Sequence, residues 1–131
     1  MGVSHTAIVC DDAPGFRVLM SAVLREEGVE VTHQGETWAD AEALSVTVPD
    51  IVVVDLWMPT FDESALALVR QHAASATLAV VTALDVEDAT TQVAEFGVDL
   101  VLSKCRPPDE LARAIAAHAR GAEPERAPAT A

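Results

Sequence analysis

The fold is decided by Ile51-Val52-Val53-Val54-Asp55, followed by Leu56-Trp57-Met58-Pro59. Four β-branched residues in a row, closed by a carboxylate, are typical of a strand that is buried on both faces of a parallel sheet. Pro59 ends the extended run and stiffens the turn after it. Ligands of open α/β sheets bind outside the carboxyl ends of the strands, so we expect Asp55 to face a ligand crevice.

The composition fits one compact domain with a substantial core, since the chain has 131 residues and is 50% hydrophobic. Its net charge of −13 argues against direct binding of nucleic acid or an anionic membrane, because phosphate groups would be repelled. No apolar run approaches the ~20 residues that span a bilayer, and the first ten residues do not resemble a signal peptide. Only Cys10 and Cys105 are cysteines, so we expect a cytoplasmic protein with free thiols and no membrane partner.

Strand and helix patterns alternate five times along the chain. The predicted strands are Thr6–Cys10, Val29–His33, Ile51–Asp55, Thr77–Val81 and Val98–Leu102. Helical spacing predicts that the inward positions are Phe16, Leu19, Met20, Val23 and Leu24; Trp38, Ala41, Leu44 and Val48; Ala65, Leu68 and Val69; Val86, Ala89, Val93 and Phe96; and Leu111, Ala114, Ile115 and His118. This alternation requires right-handed crossovers and a doubly wound α/β fold, in which helices cover both faces of a five-stranded parallel sheet.

The helix ends and the domain boundary follow from local residue types. Asp12 is available as the cap of the first helix before Pro14, and Gly28 and Gly97 are expected to end the first and fourth helices. Residues 121–131 are rich in Ala and Pro, so we expect a disordered tail or the start of a linker there. The folded domain is then residues 1–120.

The strand ends carry the chemistry. Asp11 and Asp12 follow the first strand, and Asp55, Thr82 and Lys104 follow the third, fourth and fifth, so all of them are expected at one edge of the sheet. Like charges about 4 Å apart cost about 4 kcal/mol per pair at an effective dielectric constant near 20, so the carboxylates need a cation. Carboxylate ligands of this kind suit Mg²⁺. Beside the metal, Asp55 would be a nucleophile suited to forming an acyl phosphate, with Lys104 and Thr82 contacting the phosphoryl oxygens.

At these residues the chain resembles the receiver domain of two-component response regulators. The match runs through Asp11-Asp12, Asp55–Pro59, Thr82-Ala83 and Lys104, and it covers roughly residues 5–120. The resemblance implies a flavodoxin-like (βα)5 fold with strand order 2-1-3-4-5. It also implies that a sensor histidine kinase transfers a phosphoryl group to Asp55.

The resemblance assigns a role to each site residue. Asp12, Asp55 and the backbone carbonyl of Trp57 would ligate Mg²⁺ directly, and Asp11 would act mostly through water. Lys104 would pair with the phosphoryl group, and Thr82 would move toward it as the switch hydroxyl. That movement would act on the fourth helix, fifth strand and fifth helix, the face through which the family dimerises or meets its output partner.

Several sequence features bear on the signal readout. Ser103-Lys104 followed by Asp109-Glu110-Leu111 resembles receivers joined to helix-turn-helix transcription regulators, which implies a DNA-binding output domain that is absent from this chain. The family's usual aromatic three residues before the lysine is replaced by Val101, and its usual proline after the lysine by Cys105. Trp57 and Leu84 are bulky groups near the crevice mouth, so we expect them to hinder a hydrolytic water and to prolong the phosphoryl state.

Two alternatives stay open at this point. The first is an aspartyl-nucleophile, metal-dependent phosphatase of the haloacid dehalogenase type, but such enzymes need a second Asp two residues after the first, where this chain has Trp57. The second is a receiver-like interaction module that works without phosphorylation, which Val101 and Cys105 favour. The leading interpretation is a phosphorylation-dependent switch rather than an enzyme acting on outside substrates.

Overall fold

The computed structural model describes residues 4–59, 62–83 and 85–121. Its elements, in chain order, are β1 (His5–Cys10), α1 (Pro14–Glu26), β2 (Val29–Gly35), α2 (Trp38–Ser45), β3 (Ile51–Val54), α3 (Glu63–His72), β4 (Thr77–Thr82), α4 (Val86–Val93), β5 (Leu100–Ser103) and α5 (Pro108–Ala119). All paired strands are parallel, and their order is β2-β1-β3-β4-β5. The predicted doubly wound, five-stranded sheet is therefore confirmed.

The centre of the sheet is buried on both faces. Every residue of β3 and of β4 is buried, as expected for β-branched runs in a parallel sheet. Val52 and Val54 pack with α2, α3 and α4, whereas Ile51 and Val53 pack with α1 and α5. Successive side chains of a strand point to opposite faces, so β3 supplies both halves of the core.

Side-chain caps fix the starts of three helices. Thr37, Asp62 and Asp85 accept hydrogen bonds from backbone N–H groups in the first turns of α2, α3 and α4. The predicted cap of α1 by Asp12 is wrong, because Ala13 occupies the N-cap position and no side chain caps the helix. The Asp11 carboxylate instead accepts the N–H of Ala13 at 2.8 Å, which leaves Asp12 exposed.

Some positions predicted to face inward are exposed. Val48 is 65% exposed, because α2 ends at Ser45 and the chain turns through a positive φ at Val48 before the third strand. Leu19 is also exposed, since the buried stripe of α1 is narrower than its apolar pattern. In α5, His118 is exposed and its Nδ1 pairs with the hydroxyl of Thr77 at 2.9 Å rather than completing the apolar face.

The remaining differences lie at element ends and in one helix. β2 continues to Gly35, and β5 begins at Leu100 because the Asp99 carboxylate turns back to accept the N–H of Leu78 at 2.8 Å. In α3, Leu66 is fully buried and Leu68 only partly so.

Both cysteines are free, as expected, and burial raises the pKa of the Cys10 thiol to about 12. Within the described ranges, each helix is too short or too polar to cross a membrane. Apart from Gly121, the predicted tail lies outside the described residues.

Candidate functional site

The carboxyl ends of β1 and β3 bring the predicted acidic residues together. The N–H of Asp55 donates to the carbonyl of Cys10 at 3.1 Å, and the N–H of Asp11 donates to the carbonyl of Gly35 at 3.0 Å. These bonds continue the sheet past its last ladder pairs and fix both backbones. One carboxylate oxygen from each of Asp11, Asp12 and Asp55 lies within 4.8 Å of the others. The Asp11 and Asp55 side chains are only 3% and 6% exposed, so they form the floor of the site.

Lys104 reaches this carboxylate group from the end of β5. Its Nζ lies 2.8 Å from Oδ2 of Asp11 and 3.4 Å from Oδ2 of Asp55. The backbone N–H of Lys104 donates to the carbonyl of Thr82 at 2.9 Å, which ties the end of β5 to the end of β4. The peptide bond from Lys104 to Cys105 is trans. Lys104 therefore reaches both carboxylates without the proline that usually follows it in the resembled family.

The electrostatics of Asp55 are dominated by its burial. Burial raises the pKa of this carboxyl above its ordinary value of 3.8, and the nearby Asp11 carboxylate adds to the rise. The Lys104 ammonium opposes it, as does the N–H of Trp57, which donates to Oδ1 of Asp55 at 3.2 Å. An ionised Asp55 is therefore costly in this setting, and a further cation beside it would favour the ionised form.

Three further residues singled out from the sequence lie on β4, on β5 and in the loop after β3. Thr82 is fully buried as the last residue of β4, and Trp57, two residues after Asp55, is 58% exposed. Val101 is partly buried and packs against the core on the side of α2, α3 and α4. Leu84 lies outside the described residues.

Comparison with known proteins decides the family. Residues 7–116 match the model of the response regulator receiver domain. The chain belongs to this family. It is 27% identical over 115 residues to the chemotaxis protein CheY of Bacillus subtilis, a match that covers 86% of this chain and 96% of that protein.

Solved receiver structures share the fold of this receiver domain. The signal receiver domain of the response regulator NarL from Mycobacterium tuberculosis is 25% identical, with a TM-score of 0.81 over 92% of this chain and 99% of that one. A two-component response regulator of the LuxR family from Aurantimonas is 27% identical, with a TM-score of 0.79 over 91% of this chain and 87% of that one.

Three residues that support this receiver's site were not identified as site residues from the sequence. The Phe16 ring lies beneath the Lys104 ammonium, with 4.6 Å from Nζ to the ring centroid. Arg17 donates from Nη1 to the carbonyl of Asp11 at 2.8 Å. Trp38 donates from Nε1 to the carbonyl of Leu56 at 3.3 Å, which braces the loop after Asp55. Helical spacing predicts Phe16 and Trp38 only as core residues, because apolar spacing does not reveal a contact with a distant loop.

The donor set of this receiver fits a hard divalent cation. Three carboxylates converge, two of them buried, and only one ammonium group approaches them among the described residues. Oxygen donors with room for retained waters are what Mg²⁺ prefers, and the exposed Asp12 leaves the site open to solvent on one side. The carboxylates of Asp11, Asp12 and Asp55 are thus the residues able to hold such an ion.

Proposed function

We propose that this receiver domain accepts a phosphoryl group on Asp55 from the phosphohistidine of a sensor histidine kinase, with Mg²⁺ as cofactor. The observation that carries the proposal is the approach of Lys104 Nζ to both Asp11 and Asp55, at 2.8 and 3.4 Å, within a group of three carboxylates. Membership of the receiver family supports the same chemistry and the same class of partner.

Each residue has a distinct part in the transfer. A carboxylate oxygen of Asp55 attacks phosphorus, the phosphorus–nitrogen bond of the phosphohistidine breaks, and an acyl phosphate forms. Asp12, Asp55 and the carbonyl of Trp57 would hold Mg²⁺ directly, and Asp11 mostly through water. The metal would supply positive charge for the phosphoryl oxygens. Lys104 would add a second positive charge, and the Thr82 hydroxyl would donate to another oxygen.

The phosphoryl group adds negative charge beside Thr82 and so biases the surface formed by α4, β5 and α5 between two arrangements. We propose that this surface mediates homodimerisation or contact with an output partner in the cytoplasm. The LuxR-family regulator among the similar structures supports a role in transcription, in which a DNA-binding output domain would act rather than this acidic chain. The chain's own chemistry would be limited to gaining and losing its phosphoryl group.

One experiment separates this proposal from its alternatives. The protein is incubated with Mg²⁺ and acetyl phosphate, and its intact mass and the released phosphate are both measured. One added phosphoryl group that is absent from Asp55→Ala supports the switch. Rapid phosphate release with many turnovers and no accumulated phosphorylated mass would support the phosphatase, against which Trp57 already argues by occupying the general-acid position. An unchanged mass would support the module that works without phosphorylation.

A further inference from the structure

We propose that Phe16 is a positioning residue for Lys104, holding its ammonium group over the pocket while the carboxylates bind the metal. This role rests on the proposed phosphorylation of Asp55. Phe16 does not contact the phosphoryl group or the metal in this account. It acts through the face of its ring on the one lysine that does.

The geometry is that of a cation–π contact. The Lys104 Nζ lies over the Phe16 ring at 4.6 Å from its centroid, inside the ~6 Å range in which the ring face attracts a cation. Phe16 is the third residue of α1 and packs partly against the core beneath α1 and α5, so its ring is fixed by the helix. The Lys104 side chain is 19% exposed, which leaves the contact only partly screened by water.

The contact matters because Mg²⁺ would compete with Lys104 for its other partners. Asp11 and Asp55 pair with the ammonium group here, yet they are also the residues proposed to hold Mg²⁺. A bound divalent cation would take up these oxygens and repel the ammonium group. The Phe16 ring would then be the contact of Lys104 that does not depend on the carboxylates.

The hydrogen bonds around Lys104 do not fix its side chain, so a contact at the ammonium group would restrict it. Two hydrogen bonds to Ser103 hold the loop after Lys104. The N–H of Cys105 donates to the Ser103 hydroxyl at 3.0 Å, and the N–H of Arg106 donates to the Ser103 carbonyl at 3.1 Å. These bonds fix the backbone but not the four-carbon stem of the lysine. The ring restricts the end of that stem, where the charge is needed.

The kinetic test compares Phe16→Leu, which keeps apolar volume without the ring face, with Phe16→Tyr, which keeps the ring. We expect Phe16→Leu to lower the maximal rate constant for phosphorylation by acetyl phosphate about 5- to 10-fold at saturating Mg²⁺. Its Mg²⁺ affinity should stay within about twofold, and Phe16→Tyr should restore the rate to within about twofold. An unchanged rate in Phe16→Leu, or a Phe16→Tyr rate as low as that of Phe16→Leu, would overturn the proposal.

A second readout does not depend on phosphorylation. In NMR spectra of the Mg²⁺-loaded protein, the ring current of Phe16 should shift the ε-methylene protons of Lys104 upfield, and Phe16→Leu should remove the shift. Absence of the shift in the wild-type protein would overturn the positioning role. If the wild-type protein showed the shift but took up no phosphoryl group, the ring contact would stand and the proposed function would fail.

Discussion

Lys104 forms its shorter ion pair with Asp11, at 2.8 Å, and not with the proposed phosphoacceptor Asp55, at 3.4 Å. The ammonium group thus neutralises the pocket through a residue that is not the nucleophile. Two buried carboxylates and an exposed third share this one ammonium group among the described residues, while the Arg17 guanidinium is bonded to the backbone carbonyl of Asp11. The metal-free site is therefore short of positive charge, and several measurable properties follow from that shortage.

Replacing the carboxylate of Asp55 should stabilise the metal-free protein. The folded state raises the pKa of Asp55 above its ordinary 3.8, so it holds the proton more tightly than the unfolded chain does. Stability is then lost as pH rises from about that value through the folded pKa. We expect Asp55→Asn to exceed the wild type in free energy of unfolding at pH 7, with a gap that closes near pH 3. Urea denaturation across this range in EDTA measures it.

Asp12→Asn is the matched control, because Asp12 is exposed and its replacement should change metal-free stability less. A variant Asp55→Asn that is less stable than the wild type at pH 7, or a gap that does not depend on pH, would contradict the account of a charge-deficient pocket.

Added Mg²⁺ should stabilise the wild-type protein by mass action. At a hundredfold excess over its dissociation constant, a ligand of the folded state alone adds about 2.7 kcal/mol to the free energy of unfolding. Asp12→Asn and Asp55→Asn should each lose most of this gain, since each removes a proposed ligand. Thermal or urea unfolding with and without Mg²⁺ is the measurement. An equal gain in Asp12→Asn and the wild type would place the ion elsewhere.

Trp57, which is exposed two residues after Asp55, should slow loss of the phosphoryl group. We expect Trp57→Asn to accelerate dephosphorylation about fivefold, equivalent to about 1 kcal/mol in the activation barrier, because a small polar side chain admits and orients water. Trp57→Phe, which keeps the bulk, should stay within about twofold of the wild type. Leu84→Glu tests the second bulky residue. Decay of the phosphorylated mass after removal of the donor gives the rates; no acceleration in either Trp57→Asn or Leu84→Glu would refute the shielding role.

Arg70 binds the segments that precede β4 and β5, at the end of the strands away from the site. It should therefore affect stability without affecting the site. Its guanidinium donates to the carbonyl oxygens of Ala73, Ala74, Ala76 and Gly97 and to the carboxylate of Asp99. We expect Arg70→Met to lower the free energy of unfolding by about 2–4 kcal/mol while the phosphorylation rate is unchanged. The control Arg113→Met breaks an exposed pair with Asp109 and should cost under about 0.5 kcal/mol. Equal losses in the two variants would contradict this.

The sequence contains enough information for the sheet and for the convergence of the carboxylates. Buried β-branched runs such as Ile51–Val54 identify the strands, and parallel strands bring their carboxyl ends to one edge whatever the helices do. Asp11, Asp55 and Lys104 could therefore be predicted to meet. The functional roles of these residues remain predictions until phosphorylation is measured.

The parts that were missed depend on contacts between distant elements. Phe16 and Trp38 satisfy helical spacing as core residues, and nothing in that spacing shows that one lies beneath Lys104 and the other braces the loop after Asp55. The expected inward position of Val48 failed because the end of α2 is set by the turn into the third strand. Asp12 failed as a cap because Ala13, and not Asp12, occupies the N-cap position of α1.

The central claim is that Asp55 itself becomes an acyl phosphate, and chemical trapping tests this most directly. After treatment with Mg²⁺ and acetyl phosphate, borohydride reduces an aspartyl phosphate to homoserine, and peptide mass spectrometry locates the new residue. We predict homoserine at position 55, dependent on both Mg²⁺ and the phosphodonor. Homoserine at another aspartate, or none at position 55 under these conditions, would contradict the account.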